Sequence, residues 1–188
     1  MIATPQPATV QLAFDECEIA QFARMRAGVA EFRTLQSEVE AGKRALPDLA
    51  GAEQAARDTI DACLPSRLIA FPKEIESAFL ALRRAELVQA ALKEAIRRLE
   101  SRLAVLASDL ERIFRELQQS LRWKVRDAFP APGRNGEKLN TNSGIISPVC
   151  SAAIHRVVTI EGGNIADRAD ALLALATEHG LELLGVES

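Results

Sequence analysis

Residues 73–129 read KEIESAFLALRRAELVQAALKEAIRRLESRLAVLASDLERIFRELQQSLRWKVRDAF, a stretch without Gly or Pro. Its apolar residues recur in alternating steps of three and four: Ile75, Ala78, Leu82, Ala85, Gln89, Leu92, Ile96, Leu99, Leu103, Leu106, Leu110, Ile113, Leu117, Ser120. Twelve of these fourteen positions are apolar. About six heptads of this pattern predict a coiled coil rather than a helix packed into a globular core. Such a helix would be roughly 85 Å long at about 1.5 Å per residue. Pro72 stands where a first-turn proline is tolerated, and Glu74 and Glu76 suit the positive end of the helix dipole.

Upstream, residues 8–64 show the same spacing more weakly, through Phe22, Met25, Val29, Phe32, Gln36 and Val39. Gly28, Gly42 and Gly51 each lower helix propensity by about 1 kcal/mol relative to Ala. Pro47 removes a backbone donor, so this first arm is expected to break near Leu46. Pro65 and Pro72 bracket a short joint, and short joints favour antiparallel neighbours. The arms 8–64 and 72–128 match in length, so folding near Leu68 lays them side by side. Residues 1–64 hold 6 basic and 10 acidic side chains, residues 65–128 hold 13 and 9. Opposite net charges favour pairing of the two arms with each other. Gln89 falls opposite Pro47 in this register, and two readings of it weigh equally: a bond to backbone groups that the proline frees, or a local polar defect of the seam without consequence.

After Phe129 the composition changes. Residues 129–150 are dense in Pro, Gly, Asn and Ser and read as a loop or linker. In the tail, 151–188, the β-branched run ending at Ile160 reads as a strand over 153–160. Asn164 reads as an N-cap and Gly180 as a helix stop, with Ile165, Ala169, Leu172, Leu173 and Ala176 at helical spacing between them. Residues 181–186 read as a second strand. The expected fold is therefore mainly α: a long antiparallel coiled-coil hairpin over 1–128 with a small β-α-β-like unit at the C-terminus. Such a unit is too small to bury a core alone. It must pack on the hairpin, on another copy or on a partner.

The chain has 188 residues and a formal net charge of −3, which excludes a globally basic nucleic-acid binder. Aromatic content is 4%, with no Tyr and one Trp, low for a β-sandwich or a base-stacking platform. No apolar run reaches the about 18 residues of a membrane span, and residues 1–18 do not resemble a secretory signal. Cys17, Cys63 and Cys150 are sparse and odd in number, which points to reduced thiols in a cytoplasmic protein.

No catalytic constellation is legible, and neither cofactor nor metal is expected. His155 and His179 are far apart in sequence, and the three cysteines lack zinc spacing. The turn at Glu161-Gly162-Gly163-Asn164 precedes a helix, but Asp167 and Asp170 would repel a phosphate there. One basic stretch remains: Arg122, Trp123, Lys124, Arg126, Arg134 and Lys138. It reads as a contact for a partner or nucleic acid, with Trp123 as anchor or stacking face. The blander reading is charge complementation at a helix end. The expectation is a non-enzymatic structural, assembly or adaptor protein that binds protein partners, homo-oligomers included. A weak nucleic-acid-associated role for residues 122–138 stands second.

Overall fold

The computed structural model describes residues 11–63, 73–128, 148–160, 163–181 and 183. These form α1 (Glu16–Cys63), α2 (Lys73–Ala128), α3 (Pro148–Val158) and α4 (Ile165–Glu178), with no strand among the described residues. The chain divides into two compact units. Unit 1 joins the residues up to Phe32 to those from Leu106 onward, and unit 2 is Arg33–Val105. Both long helices contribute to both units, and in each unit they pack together.

In unit 1, α1 begins eight residues later than its apolar spacing suggests, because a capping box fixes its start. Asp15 Oδ1 accepts from the Glu18 backbone N–H at 2.8 Å, and Glu18 Oε2 accepts from the Asp15 N–H at 2.9 Å. Two otherwise unpaired donors of the first turn are thereby satisfied. Phe22, Met25, Val29 and Phe32 of α1 are buried, as are Leu110, Ile113, Phe114, Leu117, Leu121 and Val125 of α2. A Cβ on Gly28 would lie 2.8 Å from Leu110 Cδ2, so the absence of a side chain there sets how closely the helices approach.

The strand expected over 153–160 is instead most of α3. Pro148 occupies the first helical position, where its missing N–H costs nothing. Val157 is completely buried, and its carbonyl accepts from Gln118 Nε2 of α2 at 2.8 Å. Val157 and Val158 are helical because packing on α2 outweighs their modest preference for strand, and Thr159 and Ile160 lie beyond the helix end without forming a strand. Among the described residues no β-α-β arrangement is present. Residue 181 is not in a strand either, and residues 182 and 184–186 of that expected strand lie outside the described residues.

The helix expected next is α4, bounded by the two residues its sequence marks. Asn164 Oδ1 accepts from the Asp167 N–H at 3.0 Å. At the other end Gly180 adopts φ +96°, a conformation that disfavours any side chain. The Gly180 N–H then bonds Thr177 O and the Leu181 N–H bonds Ala176 O, each at 3.0 Å, a Schellman closure. The remaining His179 carbonyl accepts from the Leu12 N–H at 2.8 Å, which ties the segment before α1 to the end of α4. Arg168 of α4 is paired with Glu111 of α2 at 2.6 Å, and Arg156 of α3 with Glu178 of α4 at 2.8 Å. The tail thus packs on its own long helices.

Among the described residues, unit 2 contains parts of α1 and α2 and no other helix. Ion pairs Lys43–Glu100 and Arg57–Glu86, with Gly42 against Ile96, show the helices running antiparallel here. Leu35 and Val39 are buried while Gln36 is exposed, so the seam passes one residue before the position its spacing suggests. Pro47 does not break α1, which is helical from Glu16 to Cys63. Pro47 is exposed, so water can satisfy the carbonyl that loses its donor. Gln89 Oε1 accepts from Lys93 Nζ on its own helix at 3.0 Å.

Candidate functional site

The end of α2 places Arg115, Gln119, Arg122 and Arg126 at steps of four, three and four, so all four share one helix face. That face lies away from the buried stripe of Leu117, Leu121 and Val125. Together with Gln118, Trp123 and the α3 residues Ile154 and Val158, it lines an open cleft of about 560 Å³. The hydrogen bond from Gln118 to Val157 holds α3 as the opposite wall. Trp123 is half exposed, and the Arg126 guanidinium carbon lies 5.2 Å from its ring centroid. Arg115 is paired with Glu111 at 3.1 Å. Chemically, the cleft offers guanidinium donors and the Trp123 ring on the α2 wall and an aliphatic surface on the α3 wall.

The basic residues singled out from sequence divide here. Arg122, Trp123 and Arg126 come together in the cleft. Lys124 points elsewhere: its Nζ donates to Glu18 Oε2 at 2.9 Å and to Ala13 O at 2.6 Å, and it lies 5.7 Å from the Phe14 ring centroid. It fastens the segment before α1 to α2. Arg134 and Lys138 lie outside the described residues. Sequence reasoning missed Arg115, Gln118, Gln119, Ile154 and Val158. Stepping back from Arg122 and Arg126 by helical turns would have found Arg115 and Gln119. Nothing local marks Ile154 and Val158, which reach the cleft only through the fold.

Two carboxylates of unit 1 are electrostatically committed. Burial pushes the Glu18 carboxyl up. Hydrogen bonds from Ser120 Oγ, the Asp15 backbone and Lys124 outweigh that, leaving Glu18 below its ordinary pKa. Glu111 is also held below its ordinary value, chiefly by hydrogen bonding from Arg168, with Arg115 adding to the effect against partial burial. His179 is buried at the end of α4, whereas His155 is exposed on α3. Among the described residues, no three His, Cys, Asp or Glu side chains gather as a metal site.

Unit 2 presents a different surface. Leu80, Leu87 and Val105 of α2 are 66%, 57% and 65% exposed. At about 100° per residue they fall within about 20° of one another around the helix. The buried Ala78 and Ile96 lie about 160° from Leu80, so the exposed residues form a stripe opposite the seam. Among the described residues, no helix is long and apolar enough to cross a membrane.

Comparison with protein-family models, with curated proteins and with solved structures found nothing that matches this chain.

Proposed function

We propose that the chain is a non-enzymatic assembly or adaptor protein whose long helix pair docks protein partners, other copies of itself among them. The observation that carries this reading is the exposed stripe of Leu80, Leu87 and Val105, on the face of α2 opposite its packed seam. One exposed leucine is ordinary, but aligned aliphatic residues on a second face offer a partner helix a docking line. The alternating three-four spacing of α2 supports reading the pair as an antiparallel coiled coil, with a cytoplasmic setting consistent with its sparse cysteines. Nucleic-acid binding stands second. Lys124 is already engaged with Glu18, and Arg126 lies over the Trp123 ring, leaving less of the basic stretch for phosphates and bases.

The test is Leu80→Lys, Leu87→Lys and Val105→Lys together. All three sites are exposed, so helicity and melting should change little. Crosslinks formed in cells and mapped to residues 80–105 should be lost in the variant. An unchanged set of crosslinks, or turnover of a substrate by the purified chain, overturns the proposal.

A further inference from the structure

We infer that the cleft between α2 and α3 in unit 1 binds an extended acidic peptide segment that carries one apolar side chain. The site is separate from the exposed stripe of unit 2, and its assignment does not depend on that reading. Three features of the cleft define the ligand.

The first is charge. Arg115, Arg122 and Arg126 line the cleft on a chain whose overall balance is acidic. Among the described residues Arg122 makes no ion pair or hydrogen bond, so its planar donor fork is open to a carboxylate. The second is length. From Arg115 to Arg126 the helix rises about 16 Å, which is the span of about five residues of extended peptide. A compact anion would engage only part of that line. The third is the opposite wall. Ile154 and Val158 of α3 form an aliphatic surface across from the arginines, and Trp123 adds an aromatic surface on the arginines' own helix. Val158 is 38% exposed and Trp123 is 51% exposed, so both are accessible to a ligand. An aliphatic or aromatic side chain flanked by carboxylates satisfies both walls at once. A single-stranded nucleic acid fits less well, because the Arg126 guanidinium already lies over the Trp123 ring on which a base would stack, and the other wall is aliphatic rather than aromatic.

The chain has one Trp, so its emission reports on this cleft alone. The full-length protein is titrated with the blocked pentapeptide Asp-Glu-Phe-Asp-Glu while Trp123 emission is followed. The expected result is a saturable change. Arg122→Gln should weaken binding at least about tenfold, because a charge-assisted bond is lost. Val158→Glu places a carboxylate in the cleft and should weaken binding at least as much. Both positions are exposed, so unchanged far-ultraviolet helicity is expected, and either variant suffices if the other misfolds. Replacing the peptide's Phe with Ser should also weaken binding. The proposal is overturned by no saturable change with the pentapeptide, by equal affinity in both variants, or by equal affinity for the Ser peptide. An oligothymidylate of equal length that binds more tightly than the peptide also overturns it and reassigns the cleft to nucleic acid.

Discussion

Unit 1 and unit 2 are made from the same two helices, yet they bury their side chains to different depths. Among the described residues, the largest fully buried side chains are Phe22, Met25, Leu110, Leu117, Leu121, Val125, Val157 and Leu172, and all belong to unit 1. In unit 2 the seam residues Leu82, Leu92, Leu99 and Leu103 are only half buried, and five large apolar residues of α2 are exposed. The difference is geometric. Two helices in contact shield one stripe on each and leave the flanks wet. In unit 1, α3 and α4 cover flanks that unit 2 leaves open. Stability should therefore concentrate in unit 1. Unit 2 leaves its apolar flank exposed.

Truncating a seam leucine in each unit should break or sharpen this contrast most strongly. Leu117 is completely buried, so Leu117→Ala should cost about 2–5 kcal/mol through lost transfer energy and the cavity left behind. Leu92 is half buried in unit 2, and Leu92→Ala should cost less than half as much. Urea unfolding followed by circular dichroism measures both. Equal losses would mean that the two seams contribute alike and that α3 and α4 add little.

Glycines in the two units should respond to alanine with opposite sign. A Cβ on Gly28 meets Leu110 Cδ2 at 2.8 Å, and Leu110 is 1% exposed, with little room to withdraw. Overpacking should outweigh the gain in helix propensity, for a net loss of about 1 kcal/mol. Gly51 in unit 2 has nothing within 4 Å of its would-be Cβ. Gly51→Ala should stabilise by up to about 1 kcal/mol. Melting temperatures moving in the same direction would show that the helices do not approach closely at Gly28.

The parts of the fold legible in sequence were those written in local spacing. The three-four rhythm from Ile75 to Leu117 marked α2. Asn164 and Gly180 marked both ends of α4, because cap chemistry depends on residues a few positions apart. Other features depend on the folded surroundings and were not legible. Val157 is helical because it packs under α2, although the residues around it favour strand. Pro47 is accommodated because its side of α1 faces water. Half of the cleft was visible as Arg122, Trp123 and Arg126. The other wall, Ile154 and Val158, is brought there by the pairing of Gln118 with Val157, which no local motif encodes. Lys124 belongs to the same basic stretch, yet its Glu18 partner lies on the other arm, at the far end of α1 in sequence.

The smallest expected difference between the units is their response to acid. Glu18 and Glu111 both belong to unit 1, and both are held below the ordinary carboxylate pKa of 4.5. Their unfolded forms therefore bind protons at a higher pH than their folded forms do. The stability they contribute is fully present above about 4.5 and is lost as pH falls through the lower folded values. In unit 2 the corresponding pair, Lys43–Glu100, is about half exposed on both sides and screened by solvent, so acid should remove less there. Amide hydrogen exchange at neutral pH and below pH 4, corrected for intrinsic rates, reads the units separately. Protection should fall more around Glu18, Ser120 and Arg168 than around Lys43 and Glu100. Glu18→Gln with Glu111→Gln cannot titrate at either site, so the double variant should be less stable at neutral pH and should lose less on acidification. An equal acid loss in both units, or an unchanged acid response in the double variant, would mean that neither carboxylate is committed to the four-helix core.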